Sequence, residues 1–215
     1  MQSQLVPMPQ IKQISDHIIR IMGLNPSSYT LQGSNTYLIG KGEKRILIDS
    51  GQNKEGYLEL LQKVLNETNS KLQEVLITHC HQDHTLGIEQ ILKIDKNVKI
   101  SKYYHEEIDS KLEQQYGFKY NHISHNQIIK GENFEIMTLH MAGHNPDHLC
   151  FYLPQEKAFF SADFILSGSS TVVTNMKAMF DNYFQALSLN AEYLLSAHGP
   201  EIIGKESRKY DNKNI

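Results

Sequence analysis

The chain has 215 residues, a length that suits one large domain or two small ones. Its residues are 40% hydrophobic and 21% charged, which excludes a disordered or fibrous protein. The net charge of −3 excludes attraction of nucleic acid over the whole surface, and no apolar run approaches the ~18 residues of a membrane span. Two cysteines cannot form a disulfide framework, so we expect a reducing compartment and no membrane partner.

The first half of the chain predicts a hairpin followed by alternating helices and strands. Residues 1–13 contain one Lys, no Arg and no apolar core, a composition unlike that of a secretory signal or a transit peptide. Short apolar runs predict strands, and apolar residues at helical spacing predict amphipathic helices. The predicted strands are 17–22, 35–39, 45–49, 74–78 and 98–100, and the predicted helices are 54–68 and 85–94.

The second half begins with a weak pattern and then returns to regular structure. We expect a helix near 105–115, a polar loop after it, and a third amphipathic helix over 176–187. The predicted strands are 134–139, 149–153, 158–160 and 193–195. The charged residues 205–215 predict a frayed tail. This mixture of strands and helices favours an α+β fold over a doubly wound parallel sheet.

A dense group of metal-binding residue types follows the strand at 74–78. In extended backbone, residues two positions apart point the same way, so His79 and His81 can share one ion. Asp83 and His84 lie where the chain turns toward the next helix and can face a second ion. Imidazole nitrogens suit zinc, and a carboxylate adds the negative charge that helps to hold two cations close together.

Three more candidate ligands lie at the ends of later strands. They are His144 in Ala-Gly-His-Asn, Asp163 after the apolar strand at 158–160, and His198 in Ala-His-Gly-Pro. A carboxylate at Asp163 can bridge two ions ~3.5–4 Å apart, the separation found in two-metal hydrolases. We therefore predict two zinc ions per chain, with Asp83 and Asp163 as the candidate catalytic residues. A set of unrelated histidines does not explain this ordered pattern.

These motifs, together with Asp49, resemble those of the metallo-beta-lactamase superfamily in the same order and over nearly the whole chain. The resemblance implies an αβ/βα sandwich of two mixed β-sheets flanked by helices, formed by residues 1–204. It implies a first zinc held by three histidines and a second held by one aspartate and two histidines, with a bridging carboxylate. By this resemblance the first set is His79, His81 and His144, the second is Asp83, His84 and His198, the bridge is Asp163, and Asp49 orients the histidine loop.

A narrower resemblance suggests a substrate. Residues 31–40, 45–51 and 167–172 are similar to those of the beta-lactamase-like protein 2 group, which is described as a single-strand-specific endoribonuclease of mitochondria. This narrower resemblance implies zinc-dependent hydrolysis of single-stranded RNA by a metal-bridging hydroxide. It also implies a location in the mitochondrial matrix, or otherwise in the cytoplasm. Ala142 and Ala162 depart from the Pro and Gly that are common there. That group also continues into a C-terminal helical region, whereas fifteen residues follow Pro200 here.

Other functions remain open at this level. The His-x-His-x-Asp-His motif is also similar to that of glyoxalase II, which implies a thioester hydrolase as the alternative. Beta-lactam hydrolysis is a third candidate, and a catalytically inactive relative that binds RNA or a partner is a fourth. Metal analysis separates the last of these from the enzymes.

Several further residues have two interpretations. The aromatic residues of 103–104 and 116–120 can stack on bases or pack at the rim of the core. His122 and His125 can contact substrate, and His148 can support a ligand or simply pack. The basic residues of the tail, namely Lys205, Arg208, Lys209 and Lys213, can meet phosphates or remain solvated. We expect Cys80 and Cys150 to be packed thiols.

Overall fold

The computed structural model describes residues 5–204, which form two facing β-sheets. The first sheet has seven strands that are neighbours in chain order. They are β1 (Ile11–Ser15), β2 (Ile18–Met22), β3 (Asn35–Ile39), β4 (Lys44–Ile48), β5 (Lys71–Ile77), β6 (Lys99–Lys102) and β7 (Asn121–His122). The strands from β1 to β4 pair antiparallel, whereas those from β4 to β7 pair parallel. The sheet is therefore mixed, as expected.

The second sheet has six strands. They are β8 (Ile128–Lys130), β9 (Glu135–His140), β10 (Leu149–Leu153), β11 (Ala158–Ala162), β12 (Tyr193–Ser196) and β13 (Ile202–Ile203). Their spatial order is β13-β12-β11-β10-β9-β8, and β11 pairs parallel with β12 while the other pairs are antiparallel.

Five α-helices provide the crossovers that parallel strands require. They are α1 (Tyr57–Glu67), α2 (Gln82–Thr85), α3 (Ile88–Ile94), α4 (Glu106–Tyr116) and α5 (Met176–Ser188). Helix α1 joins β4 to β5, the α2–α3 pair joins β5 to β6, and α5 joins β11 to β12. None of the helices described is long and apolar enough to span a membrane.

Three apolar clusters hold the layers together. The central cluster lies between the sheets and includes Ile46 and Ile48 of the first sheet and Phe151 and Phe160 of the second. A second cluster packs α1 and α3 against the outer face of the first sheet, and a third packs α5 against the second sheet. The order helix, sheet, sheet, helix confirms the predicted αβ/βα sandwich.

The structure departs from the sequence prediction at several elements. The helix predicted over 85–94 is interrupted by Leu86 and Gly87, which separate α2 from α3. A Cβ atom on Gly87 would lie 1.8 Å from the Ser50 carbonyl oxygen, so this break follows from a tertiary contact. Four short strands were not predicted, namely β1, β7, β8 and β13. The frayed tail predicted for 205–215 lies outside the described residues.

The ends of the strands determine where the candidate ligands meet. Parallel strands place their carboxyl ends at one edge of a sheet, which is where ligands bind in such sheets. Asp49 follows β4, and the histidine motif follows β5 in the same sheet. Asp163 directly follows β11, and His198 lies two residues beyond β12 in the other sheet. Both sheets therefore deliver candidate ligands to one edge of the sandwich.

Candidate metal centre

The histidine motif changes conformation in the middle. His79 is still in the chain segment that leaves β5, and His81 is the N-cap of α2 with an extended backbone (φ −62°, ψ 149°). Their ring nitrogens Nε2 and Nδ1 face each other at 2.9 Å, as the alternation of extended residues predicted. Asp83 and His84 lie within α2, whose single turn directs them to the other side of the cleft.

Four of the predicted ligands form a first group, with one candidate ligand atom of each lying within 4.8 Å of the others. Within it, His144 Nε2 lies 3.2 Å from His81 Nδ1. The members other than His81 are buried, and His81 is exposed at the mouth of the cleft. The group consists of His79, His81, His144 and Asp163.

The remaining three predicted ligands, Asp83, His84 and His198, form a second group with the same 4.8 Å limit. Asp83 Oδ2 lies 3.2 Å from His84 Nε2 and 3.3 Å from His198 Nε2. This group contains one carboxylate and two imidazoles, whereas the first contains one carboxylate and three imidazoles. Its members come from one short helix and from the loop after β12.

Asp163 lies between the two groups and presents a different oxygen to each. Its Oδ2 is 3.8 Å from His79 Nε2 and 3.6 Å from His144 Nε2. Its Oδ1 is 3.7 Å from His84 Nε2 and 3.2 Å from His198 Nε2. This geometry matches the bridging position expected from the sequence.

The residues present fit a pair of divalent cations. His84 Nε2 and Asp163 Oδ1 are buried and have no hydrogen-bond partner. Buried polar atoms seldom remain unpaired, and a cation between them would use both lone pairs. Imidazole nitrogens with one or two carboxylates form a donor set that suits zinc. Other atoms of the same ligands already have fixed partners, as a metal site requires.

The electrostatics of the metal-free groups separate neutral from charged histidines. Burial, reinforced by His84, lowers the pKa of His79, so its ring is a neutral ligand. Burial opposes protonation of His198, but the neighbouring carboxylates of Asp163 and Asp83 raise its pKa to about 9. Burial likewise opposes ionisation of Asp83 and Asp163, yet His84 and His198 hold the pKa of each carboxyl well below its usual range. Cations that enter the second group must therefore displace protons.

Supporting contacts fix the ligands from behind. Asp49 accepts hydrogen bonds from Thr78 N at 2.8 Å, and its Oδ2 lies 2.7 Å from His84 Nδ1. The expected orienting role of Asp49 therefore agrees with the geometry. Ser34 Oγ donates to Asp83 Oδ2 at 2.8 Å, and Ser34 N donates to Asn25 at 2.8 Å. Sequence reasoning did not assign Ser34 or Asn25, although the segment containing Ser34 carried part of the resemblance.

The loops that carry the later ligands are also anchored. The side chain of Asn35 donates to the carbonyl oxygens of Ser196 at 3.0 Å and Gly199 at 2.8 Å, on either side of His198. The carbonyl of Val172 lies 2.9 Å from His144 Nδ1. Ala162, which stands where Gly was expected, has a φ of 46°, the left-handed conformation that Gly adopts at least cost.

A cleft of about 760 Å³ opens above the two groups. Its walls are the loop 25–30 on one side and residues 169–172 on the other, and both are rich in Ser and Thr. Besides the candidate ligands, the titratable residues that line it are Tyr29 and Lys54. The cleft is large enough for a small-molecule substrate.

Other residues considered in the sequence lie away from this cleft. His148 is buried, and its ring packs against His79 with centroids 4.9 Å apart, so it supports the first group without belonging to it. The ring of Tyr104 stacks on His122 at 4.2 Å, and Tyr103 stacks on a histidine of β9 at 3.9 Å. These aromatic faces are covered within the protein, which favours rim packing over base stacking.

The remaining histidine and the two cysteines are also accounted for. His125 Nδ1 accepts a hydrogen bond from the backbone N of His140 at 3.1 Å, and His125 does not line the cleft. Cys80 and Cys150 belong to neither ligand group among the described residues. Burial raises the pKa of Cys80 to about 11, so its thiol stays protonated at neutral pH. Both therefore match the packed thiols predicted.

The fold and the ligand order together define a class of protein. The model of the metallo-beta-lactamase superfamily matches residues 29–198, and the chain belongs to this superfamily. A metallo-beta-lactamase from Pontibacter korlensis shares the fold with a TM-score of 0.70 at 19% identity, and the match covers 90% of this chain and 92% of that one.

Two fungal proteins are more similar in sequence. The atrochrysone carboxyl ACP thioesterase dmxR1 of Cryptosporiopsis sp. is 34% identical over 198 residues, which are 92% of this chain and 59% of that protein. The lactamase-like protein ptaB of Pestalotiopsis fici is 34% identical over 201 residues, or 94% of this chain and 61% of that protein. This chain thus spans about three fifths of the length of these curated relatives.

These comparisons correct the narrower expectation. The superfamily and the fold are as predicted, but the relatives are named as thioesterase and lactamase-like proteins, not as endoribonucleases. The endoribonuclease prediction, with its RNA substrate, is therefore not supported. Of the alternatives drawn from the sequence, the thioester hydrolase agrees better with these names.

Proposed function

We propose that this protein is a zinc-dependent hydrolase of acyl thioesters, in which the acyl group is carried on a pantetheine-type thiol. The observation that carries the proposal is the pair of ligand groups joined by Asp163 at the base of an open cleft. The thioester class is supported by the thioesterase name of a relative 34% identical to this chain.

The seven candidate ligands would hold two zinc ions. The first ion would be bound by His79, His81 and His144, and the second by Asp83, His84 and His198. Asp163 would be shared between the two ions. When bound, such ions lower the pKa of a coordinated water and polarise a carbonyl oxygen. Ser34 holds Asp83 through Oδ2, which leaves Oδ1 to accept a hydrogen bond from an incoming water and orient it. Asp49 fixes the tautomer of His84 by accepting from Nδ1, so that Nε2 is the coordinating nitrogen.

The chemistry of the leaving group also suits this cleft. A thiol has a pKa of about 8.5, so a thioester releases a thiolate that needs no proton from the protein. The ribose alkoxide released from RNA is far more basic, so its departure needs stabilisation by a metal ion or a general acid. Hydrolysis of a thioester therefore needs no more than the ligand groups and the polar walls of the cleft to position the substrate.

Parallel assays of one zinc-loaded preparation test the proposal. The substrates are acyl thioesters of N-acetylcysteamine and coenzyme A, single-stranded RNA and a chromogenic cephalosporin. We expect thiol release that chelation abolishes, with far slower turnover of RNA and cephalosporin. Asp163→Ala, produced in parallel, controls for contaminating esterases and nucleases. Zinc-dependent cleavage of RNA without thiol release would refute the thioester assignment.

A further inference from the structure

Behind the first ligand group lies a buried ionic cluster that the proposed chemistry does not use. The side chain of Lys102, the last residue of β6, is fully buried. Its ammonium group donates to the carboxylates of Asp109 and Asp147 and, at 3.1 Å, to the carbonyl of Tyr103. Both carboxylates are fully buried as well. The three donor hydrogens of the lysine are therefore all used.

The cluster joins three elements at the edge that carries the ligands. Lys102 pairs in register with Ile77, two residues before His79. Asp109 is in α4, where its Oδ2 also accepts from the backbone N of His105 at 2.6 Å. Asp147 belongs to the loop 143–148, which carries His144. Lys102 thus connects the strand beside the histidine motif to the loop that supplies His144, the third histidine of the first group.

The loop 143–148 is attached at both of its ends by backbone hydrogen bonds. The carbonyl of Gly143 accepts from Thr174 N at 2.8 Å, and the carbonyl of His148 accepts from Met141 N at 2.9 Å. Between these points, Lys102 is the hydrogen-bonding partner of the Asp147 carboxylate among the described residues, and the Oδ1 atom of Asp147 has none. Neutral contacts also hold the middle of the loop, since His140 Nε2 lies 2.7 Å from the Pro146 carbonyl oxygen and Thr174 Oγ1 donates to the His144 carbonyl at 3.1 Å. The Lys102–Asp147 pair adds a buried charged contact to these.

Asp109 and Asp147 contact the same lysine but lie in different elements, so a metal-positioning role can be distinguished from a purely stabilising one. Both neutralise the same ammonium, so loss of either charge weakens the same buried cluster. Asp109 holds α4, which contributes no candidate ligand, whereas Asp147 is three residues from His144. If the cluster only stabilises the fold, neutralising either aspartate should affect metal binding equally. If it positions the loop, neutralising Asp147 should weaken metal binding more than neutralising Asp109.

We propose that Lys102 and Asp147 are positioning residues, which hold the loop 143–148 so that His144 completes the first metal-binding group. The proposal rests on the metal centre of the proposed function. Supporting partners of this kind typically change metal affinity by about 10–100-fold when they are lost.

The test compares Asp147→Asn with Asp109→Asn, since each removes one charge and keeps the shape of the side chain. Zinc affinity is measured by competition with a chromophoric chelator, and melting temperatures are measured on the metal-free proteins. We expect similar losses of melting temperature in both variants. Asp147→Asn should weaken one of two zinc sites by about 10-fold or more, and Asp109→Asn should stay within about threefold of wild type.

A double-mutant cycle identifies the site that is affected. His144→Ala removes the ligand itself, so adding Asp147→Asn to it should cause no further loss of zinc affinity. A further loss equal to that of the single variant would show that Asp147 acts elsewhere and would overturn the proposal. Equal zinc affinities of Asp147→Asn and Asp109→Asn would overturn it as well.

A third variant covers the case in which Asp147→Asn does not fold. Lys102→Met combined with Asp109→Asn and Asp147→Asn removes all three charges, and neutral replacements of buried ion clusters often retain stability. The folded triple variant should show the same zinc defect, and wild-type affinity in it would contradict the proposal. Wild-type protein that binds no zinc would refute the proposed function and this inference together, whereas zinc-binding wild type with an unaffected Asp147→Asn refutes the inference alone.

Discussion

At the scale of residues, the account depends on the carboxylate of Asp163, whose two oxygens face different ligand groups. Asp163→Ala would remove the negative charge between two cations. We expect the variant to lose at least one of two zinc ions and to hydrolyse thioesters several orders of magnitude more slowly. Elemental analysis together with thiol release checks this prediction.

The control for this substitution is His148→Ala, which removes a buried ring that contacts His79 but supplies no candidate ligand. It should cost about 2–4 kcal/mol of stability because it leaves a cavity, yet retain both zinc ions. Retention of two ions and full activity in Asp163→Ala would contradict the bridging role.

Asp49 provides a second prediction at this scale. It contacts both Thr78 and His84, so Asp49→Ala leaves the ligand ring free to turn. Zinc affinity should fall by about 10–100-fold, as measured by chelator competition. Asp16→Ala, which removes an exposed carboxylate paired with Lys41, is the matched control and should leave zinc affinity unchanged. Equal affinities in the two variants would exclude an orienting role for Asp49.

The sequence singled out the residues that the structure brings together more readily than the residues behind them. The seven candidate ligands follow strand ends at characteristic spacing, and this pattern is readable without a structure. Ser34 lies 49 positions before Asp83, and the contact between them depends on how two loops fold. Lys102 shows the same limit, because nothing in β6, with its sequence Lys-Ile-Ser-Lys, indicates that the ammonium group of Lys102 is buried between two carboxylates.

At the scale of elements, the loop after β12 has little freedom to move His198. Gly199 has a φ of 81°, and a Cβ atom there would lie 1.9 Å from the Ser167 carbonyl oxygen. Gly117, at the end of α4, has a φ of 69° but nothing within 4 Å of such an atom. The two glycines therefore share a backbone conformation and differ in their surroundings.

This difference predicts that alanine substitution at the two glycines lowers the free energy of unfolding by different amounts. Gly117→Ala should cost about 1–2 kcal/mol from backbone strain alone. Gly199→Ala should cost about 2–5 kcal/mol, because a clash with backbone adds to the strain, and it should also weaken zinc binding by displacing His198. Urea unfolding and zinc titration of both variants check the prediction. Equal costs, with normal zinc affinity in Gly199→Ala, would show that the loop adapts.

The ends of the helices and strands show where hydrophobic periodicity does not predict the structure. The helices α1 and α5 lie close to their predicted ranges because their apolar faces repeat at helical spacing. Helix α4 also lies close to its predicted range, although its buried side chains are the charged Asp109 and Glu113. The division between α2 and α3 was missed, since the close approach of Gly87 to Ser50 is a tertiary contact that leaves no trace in the local pattern. Short strands such as β7 and β13 contain two residues each, too few for any period to be recognised.

In the whole molecule, the candidate metal centre lies where the two sheets meet. The first sheet supplies Asp49 and the histidine motif, and the second supplies Asp163 and His198. Ions bound at this edge should therefore stabilise the entire fold. A metal at 100 times its dissociation constant adds about 2.7 kcal/mol, which for a domain of this size corresponds to about 5–10 °C in melting temperature.

Chelation should lower the melting temperature by that amount, and added zinc should restore it. Magnesium at the same concentration is the control, because a site rich in imidazole binds it weakly. A melting temperature that is insensitive to chelator and zinc would mean that the ligand groups do not bind metal in the folded protein.

The fold as a whole was predictable, and the substrate was not. The family resemblance, carried by the order of the motifs, implied the sandwich and the edge at which the candidate ligands meet. The walls of the cleft are the loops at 25–30 and 169–172. Their conformation cannot be predicted from hydrophobic periodicity. Substrate choice depends on those walls, so the sequence placed RNA first and a thioester as its alternative, whereas one relative is named a thioesterase.

The proposed function is tested by a zinc titration of the metal-free protein, with bound zinc and thiol release from an acyl thioester measured in the same samples. The account predicts no thiol release without metal and activity that rises to a plateau at two zinc ions per chain. Thiol release by the metal-free protein, or none at any zinc level while RNA is cleaved, would contradict it.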